Sequence, residues 1–539
     1  MDTNNIPRIA YFCMEYGLNS DFKTYAGGLG ILAGDYMKGA KDLNLPLVGI
    51  GLKWKQGYTE QLVDENGEVY DTYHNYHYDF LKDTGVKVTV NIRNLEIVCK
   101  VWKLEEFGNN PIYLLDTDIP ENGDRWITGQ LYGWFGEERI AQEIVLGIGG
   151  VKALRALNIP VDVYHFNEGH AILAATELMK EKMQSGYSFE ESWAKTREEV
   201  VFTTHTPIVE GNESHSIDKL EYMGAFNELT RQQMVRLGGE PFNMTVAGLR
   251  LSRKANAVAQ LHMETANKMW RTVAGRPEII GITNGIHKPT WVDDRMTKAY
   301  ENNGDLFETH TTIKKELIEF IKERTGTTLC TDKLLIGFSR RAAPYKRSDL
   351  IFTSEEIISP LLKSGKVQIV FSGKAHPLDD TGKEIVAKLV RMMKKYPNSV
   401  VFLENYDMNI GRMLTRGSDI WLNNPRRPLE ASGTSGMKAA MNGVLNCSIL
   451  DGWWPEACND GVNGWQFGDG VGLDDLTEVE LDKHDTIALY DTLINRVMAT
   501  YYGNREKWVE MMRESIRTTS YEFSVERMLD EYYNKMYIK

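Results

Sequence analysis

Short, uninterrupted apolar runs rich in β-branched and aromatic residues recur along the chain between stretches of helical spacing. VVFTTHTP at 200–207, KLLIGFSRR at 333–341, KVQIVFSGK at 366–374, SVVFLENY at 399–406 and SDIWLNN at 418–424 are the clearest. A strand with one face in water alternates apolar and polar positions. These runs do not, so each reads as a strand buried on both faces, as in parallel sheets. AILAATELMKEKM at 171–183 and GKEIVAKLVRMM at 382–393 repeat apolar positions three and four apart, which predicts helices. Strand, helix, strand repetition on this scale predicts an α/β fold of doubly wound sheets.

The polar stretch 301–312, inside a boundary region at about 289–329, separates two halves rich in βα units. The expected domains are 1–290 and 291–539, the second ending in a helical tail over 486–539. No short repeat, low-complexity block or Gly/Ser linker interrupts them. Ligands of open α/β sheets sit at the carboxyl ends of strands, so a cleft between the halves is the expected site.

Length and charge narrow this picture. At about 150 residues per domain, 539 residues hold two to four domains, which excludes a small module. With 42% hydrophobic and 25% charged residues, long disorder is excluded too. Asp and Glu outnumber Lys and Arg by 75 to 62, a net charge of −13 that repels nucleic acid and anionic membranes. An anionic substrate must therefore meet a local basic pocket. Cys13, Cys99, Cys330, Cys447 and Cys458 stand in no zinc-clamp or disulfide spacing. They read as reduced thiols, and no metal is expected. The start MDTNNIPRIAYF has no leader pattern, and no run of about 18 apolar residues occurs, which predicts a soluble, cytoplasmic protein.

Four features carry candidate chemistry. Tyr25-Ala26-Gly27-Gly28-Leu29-Gly30 follows a predicted strand and opens a helix-like stretch, so it is either a tight turn or a set of amides open to an anion. Arg340-Arg341 ends a predicted strand and Tyr345-Lys346-Arg347 begins the next predicted helix. These four cations form either a phosphate cradle or a solvated basic loop. Glu430-Ala431-Ser432-Gly433-Thr434-Ser435-Gly436-Met437-Lys438 opens the helix MKAAMNG as a second anion nest, with Lys438 a turn inside it or simply exposed. Polar residues at strand ends, His205 in FTTHTP, 167–170 in HFNEGH and Asn284 in GITNGIH, are hydrogen-bonders or catalysts. HExxH, GxSxG, Walker and paired CxxC patterns do not occur.

In this order the elements resemble the α-glucan (glycogen, starch, maltodextrin) phosphorylases. The resemblance runs from Glu15-Tyr16-Gly17-Leu18 and the GGLG turn through HFNEGH, TTHTP, NAVAQLH, TNGIHKPTW, RRAAPYKR and SGKAHP to EASGTSGMK, about residues 8–470. It implies a GT-B type fold, two Rossmann-like domains facing a central cleft, with glucan and phosphate on the first and pyridoxal 5'-phosphate on the second. Lys438 resembles the lysine that holds that cofactor. Arg340, Gly433, Thr434 and Ser435 would hold its phosphate, with Tyr406 beside it. Arg341, Lys346 and the backbone of Gly28 and Leu29 resemble the cradle for inorganic phosphate or glucose 1-phosphate. Glu430, Ser432, Asn284 and His205 resemble partners of the glucosyl hydroxyls, with the His205 backbone facing the developing oxocarbenium ion.

The implied reaction is retaining phosphorolysis of α-1,4-glucans from the non-reducing end, in which the cofactor's phosphate exchanges a proton with substrate phosphate. Two phosphates of about −1.5 to −2 each, ~5 Å apart at an effective dielectric of ~20, repel by on the order of 10 kcal/mol. They coexist only among cations or with a shared proton. A paired-carboxylate mechanism is not required.

The chain also departs from the long type. It begins about twenty residues before the GGLG turn, which predicts no N-terminal regulatory extension, and it reads LDGWWPEACNDGVNGW after the lysine. Trp453 and Trp454 either stack on sugar or form a buried pair. The pattern is that of the short bacterial and archaeal type. A nucleotide-sugar α-glucan synthase shares the fold and the GGLG turn. However, its lysine two residues before the paired glycines is Tyr25 here, and EASGTSGMK has no purpose in it. A non-catalytic glucan binder would use the 12 Trp, 25 Tyr and 18 Phe but needs no anion nests. A homodimer is implied by the relatives, without an interface signature in the sequence.

Overall fold

The computed structural model describes residues 6–539. The first five residues of the start MDTNNIPRIAYF, on which part of the no-leader expectation rests, lie outside the described residues. The chain forms two compact units. The first comprises Met1–Tyr58, Tyr73–Thr283 and Met528–Lys539, and the second comprises Thr59–Thr72 and Asn284–Arg527. Each is built on its own sheet.

Among the described residues the first unit holds nine strands in the order Ile279–Gly281, Lys254–Ala257, Val200–Thr203, Val163–Asn167, Ile9–Phe12, Leu47–Leu52, Ile112–Asp116, Leu95–Leu104 and Lys82–Ile92. The first seven run parallel, and the last two extend the sheet antiparallel. Strand order reverses between Ile9–Phe12 and Val163–Asn167, the kind of place where α/β sheets bind ligands. The parallel strands are buried almost throughout, as uninterrupted apolar runs demand. The helix Gly28–Asp42 begins in the GGLG turn and passes so close to the preceding loop that a Cβ on Gly34 would lie 1.9 Å from the Gly17 carbonyl oxygen. Only glycine permits that approach.

Residues 528–539 complete the same unit. Tyr537 Oη lies 2.6 Å from His165 Nδ1 and also meets the Tyr36 hydroxyl, and Asn256 Nδ2 donates to Tyr532 Oη at 3.0 Å. Tyr11 stacks on Tyr36, with centroids 4.3 Å apart, to close this buried aromatic cluster.

The second unit's sheet is all parallel, in the order Val400–Leu403, Val367–Ser372, Leu334–Ser339, Ile420–Asn423, Leu445–Ile449 and Gly464–Phe467. All four apolar runs predicted as strands in this half are strands of it. Its order reverses between Leu334–Ser339 and Ile420–Asn423. Chain leaving the first of these becomes RRAAPYKR, and chain leaving the second becomes the loop to EASGTSGMK. Helices dominate from Glu478–Thr492 onward, which continues the expected tail. No helix of the described residues is long and apolar enough to cross a membrane.

Candidate active site

At the reversal in the second unit the cations and the EASGTSGMK segment meet. Glu430 is buried, and its carboxylate takes a 2.5 Å hydrogen bond from Lys346 Nζ and another from the Arg340 guanidinium. Burial alone would raise its pKa. The two cations outweigh burial and hold it at about 2, so the carboxylate stays ionised at neutral pH.

Asp451, fully enclosed after the strand Leu445–Ile449, orients this acid by accepting from the Glu430 amide at 3.0 Å and the Gly452 amide at 2.8 Å. Burial, reinforced by the neighbouring Glu430 charge, pushes Asp451 up to about 8. An unfolded aspartate titrates near about 3.9, so between these values the folded chain binds the extra proton and this group's contribution to stability falls as pH rises. Asp451→Asn is expected to flatten that slope in thermal unfolding between about pH 4 and 8. Loss of one acceptor should also lower overall stability by about 1–3 kcal/mol. An unchanged slope would show that Asp451 is already ionised.

Lys438 sits in the second turn of the short helix Ser435–Met441 and is buried, its Nζ 3.7 Å from the centroid of the Trp291 ring. A cavity beside it is lined by Trp291, Ser339, Tyr406, Gly411, Thr415, Trp421, Ser435 and Lys438. Gly433, at φ +72°, turns the chain into this helix, and an added Cβ there would lie 3.4 Å from Arg340 Nη1. Ser435 Oγ accepts from Trp421 Nε1 at 3.1 Å and from Arg340 Nη1 at 3.4 Å, which ties the nest to the cationic strand end. Thr434 is the helix N-cap, and Ser432 is buried beside Gly433. Tyr406 is pushed up to about 12 by burial, so its phenol remains protonated.

Arg341 stands at the surface end of the same strand. Asn284 is buried; its Oδ1 has no partner among the described residues, while its carbonyl accepts from Arg527 Nη2 at 3.1 Å.

Two readings of this segment are corrected. No helix begins at Tyr345-Lys346-Arg347. Pro344–Lys346 and Leu350–Phe352 are single 3-10 turns, because Arg347 at φ +52° breaks the helical run. Arg347 is structural: its guanidinium is bound by the carbonyls of Asn424 and Pro425 and by Asp482 and Asp485 at 2.7–3.0 Å. Trp453 and Trp454, whose role the sequence left open, are a buried pair. Their centroids are 5.2 Å apart, and Trp453 packs on Phe523.

In the first unit the candidate residues gather at the carboxyl ends of Ile9–Phe12, Val163–Asn167 and Val200–Thr203. Gly28 and Leu29 form the first turn of the helix Gly28–Asp42. The amides just before them, Ala26 and Gly27, donate to the Glu15 carboxylate, which fixes the turn. His205 is held twice: its Nε2 bonds Asn167 Oδ1 at 2.6 Å and its amide donates to Glu168 Oε2 at 2.8 Å. Burial depresses the imidazole to about 3, so the ring is neutral. Glu168, at φ +76°, also accepts from Thr206 Oγ1 and the Gly169 amide, and burial raises its pKa. Sequence reasoning placed Asn167 and Glu168 among the polar strand-end candidates, as hydrogen-bonders or catalysts, and gave no role to Glu15 or Asp451. The available signal was an acid or amide immediately after an apolar strand.

A family model described as carbohydrate phosphorylase matches residues 294–457, the stretch that carries the cations and Lys438. A maltodextrin phosphorylase of Thermococcus litoralis is 39% identical, over 98% of this chain and 70% of its own. Glycogen phosphorylases of Aquifex aeolicus and Mycobacterium tuberculosis are 35% and 34% identical, over 100% and 98% of this chain and 87% and 70% of theirs.

Proposed function

The chain belongs to the carbohydrate phosphorylase family, and from that premise we propose that it carries out reversible phosphorolysis of α-1,4-glucans, releasing glucose 1-phosphate from the non-reducing end with retained stereochemistry. The observation that carries the reading is a buried lysine, Lys438, against an aromatic ring and a cavity at the strand-order reversal where Arg340, Lys346 and Glu430 converge. We further propose that the N-terminal half takes glucan and phosphate, that the C-terminal half takes pyridoxal phosphate, and that the two are Rossmann-like domains facing a cleft.

The residues fit the cofactor. A flat aromatic aldehyde bearing a phosphate suits an amine held against Trp291, a cavity walled by Tyr406 and Trp421, and a nest of amides at Gly433, Thr434 and Ser435 beside Arg340. These residues with Lys438 would hold it. When bound, the group supplies a phosphate that gives and takes a proton at the substrate phosphate.

The chain's own residues do the rest. Lys346 and Arg341 offer the charge that an incoming dianion needs, and Glu430, already ionised between two cations, exchanges part of that pairing for a sugar hydroxyl. Asp451 fixes the direction of Glu430. Asn167 and Glu168 hold the ring and amide of His205, which aims its backbone at the sugar as positive charge develops. Asn284 and Ser432 offer further hydroxyl partners, and Gly28 and Leu29 present helix-start amides to phosphate.

The test is incubation of the purified protein with inorganic phosphate and a ladder of maltooligosaccharides, with glucose 1-phosphate as the readout. Product formation is expected, and the ladder shows which lengths are used. Cofactor-loaded protein that forms none would overturn the reading.

A further inference from the structure

Away from these residues, the first unit carries a compact set of metal-type donors on a helix and a short strand. We infer that Glu143, Glu213 and His215 form a binding site for a divalent transition-metal ion, zinc by the class of its donors. The sequence predicts no metal, since its cysteines stand in no zinc-clamp spacing and HExxH is absent, and residues 143 and 213 meet only in the fold. The inference does not rest on the proposed reaction.

Glu143 lies in the last turn of the helix Glu137–Ile144. Glu213 and His215 flank Ser214 at the short strand Ser214–His215, and extended backbone puts positions i and i+2 on one face. The backbone fixes them without help from the side chains: His215 pairs with Phe242 across an antiparallel bridge, and the Met244 amide donates to the Glu213 carbonyl at 2.9 Å. One ligand atom from each of the three residues falls within 4.8 Å of the other two. His215 Nε2 is 2.9 Å from Glu143 Oε2 and 3.8 Å from Glu213 Oε1. His170 Nε2, 3.9 Å from Glu213 Oε2, is within reach as a fourth donor.

Charge and satisfaction point to a cation. The Glu143 side chain has no exposed surface, yet Oε1 accepts from no donor among the described residues, and Glu213 Oε2 is likewise without one. Two carboxylates thus share one fixed positive charge, Arg139, whose Nη1 lies 3.2 Å from Glu213 Oε1. Arg139 is itself buried, its guanidinium 4.9 Å from the Tyr132 ring centroid. In that position it serves as the outer donor that ligating carboxylates usually have. Two carboxylates with one or two imidazoles suit zinc and its neighbours, whereas magnesium and calcium take oxygen sets. The ion would pin the segment that follows Val200–Thr203, which carries His205, to the helix Glu137–Ile144.

The test uses the full chain as purified, stripped with EDTA, passed through gel filtration and titrated with Zn²⁺ while bound metal is counted by mass spectrometry. One zinc per chain is expected, with X-ray absorption showing a shell of nitrogen and oxygen only and an excess of Mg²⁺ failing to displace it. Glu143→Gln and His215→Gln are each expected to weaken binding by ten-fold or more. If a variant does not fold, the wild-type absorption spectrum still decides. Less than a tenth of an equivalent bound would mean that the carboxyls share a proton instead. That result, sulfur in the first shell, or stoichiometric zinc unaffected by both substitutions would overturn the assignment.

Discussion

Lys438→Ala is expected to abolish glucose 1-phosphate formation, by about a thousand-fold or more, and to leave the purified protein without pyridoxal absorbance. The effect is local. Lys438 is enclosed, but its neighbours Met437, Ala439 and Ala440 supply the packing of its helix, so the variant should fold. What disappears is the amine over Trp291 at the cavity wall. Absorbance and product should therefore be lost together while far-UV circular dichroism is unchanged. Retained turnover would remove Lys438 from the chemistry and bring a nucleotide-sugar donor back into consideration.

Lys346→Met should behave differently: turnover should fall about 10²–10³-fold with cofactor content unchanged. Methionine keeps the buried length of the side chain and deletes its charge. Glu430 then retains Arg340 but loses the Lys346 contact at 2.5 Å, so its pKa rises from about 2. A depressed carboxylate pKa protects the ionised form down to low pH. Removing one cation therefore moves the acid limb of the rate profile to higher pH. The measurement is turnover against pH beside cofactor absorbance per chain. Equal loss of cofactor and turnover would place Lys346 at the cofactor instead of the substrate phosphate.

The sheets were legible because buried parallel strands need apolar residues at every position. The runs at 333–341 and 418–424 became the strands Leu334–Ser339 and Ile420–Asn423 on either side of the reversal. Lys438 was singled out only through the resemblance of EASGTSGMK, since a lysine one turn inside a helix reads equally well as exposed until the fold buries it. Arg347 was not separable from Lys346, since adjacent cations look alike until the backbone of Arg347 adopts φ +52° and points it at Asp485. The roles of Asp451, which the sequence did not single out, and of Glu168, which stood among the strand-end candidates, were hidden for another reason. Their role lies in which amides they accept from, and that depends on loops closing after the strands. Thr59–Thr72, which belongs to the second unit despite its place in the chain, carries no compositional mark of that membership.

The return of residues 528–539 to the first unit sets a clock on synthesis. After Thr283 has been made, roughly 240 residues must follow before Met528 appears, about 12–50 s at about 5–20 residues per second. Throughout that interval Tyr36 and His165 lack Tyr532 and Tyr537, and the nascent first unit presents an open aromatic cleft to solvent or to a chaperone. The first unit is thus completed only after residues 284–527 of the second have been made, by the strap that follows them.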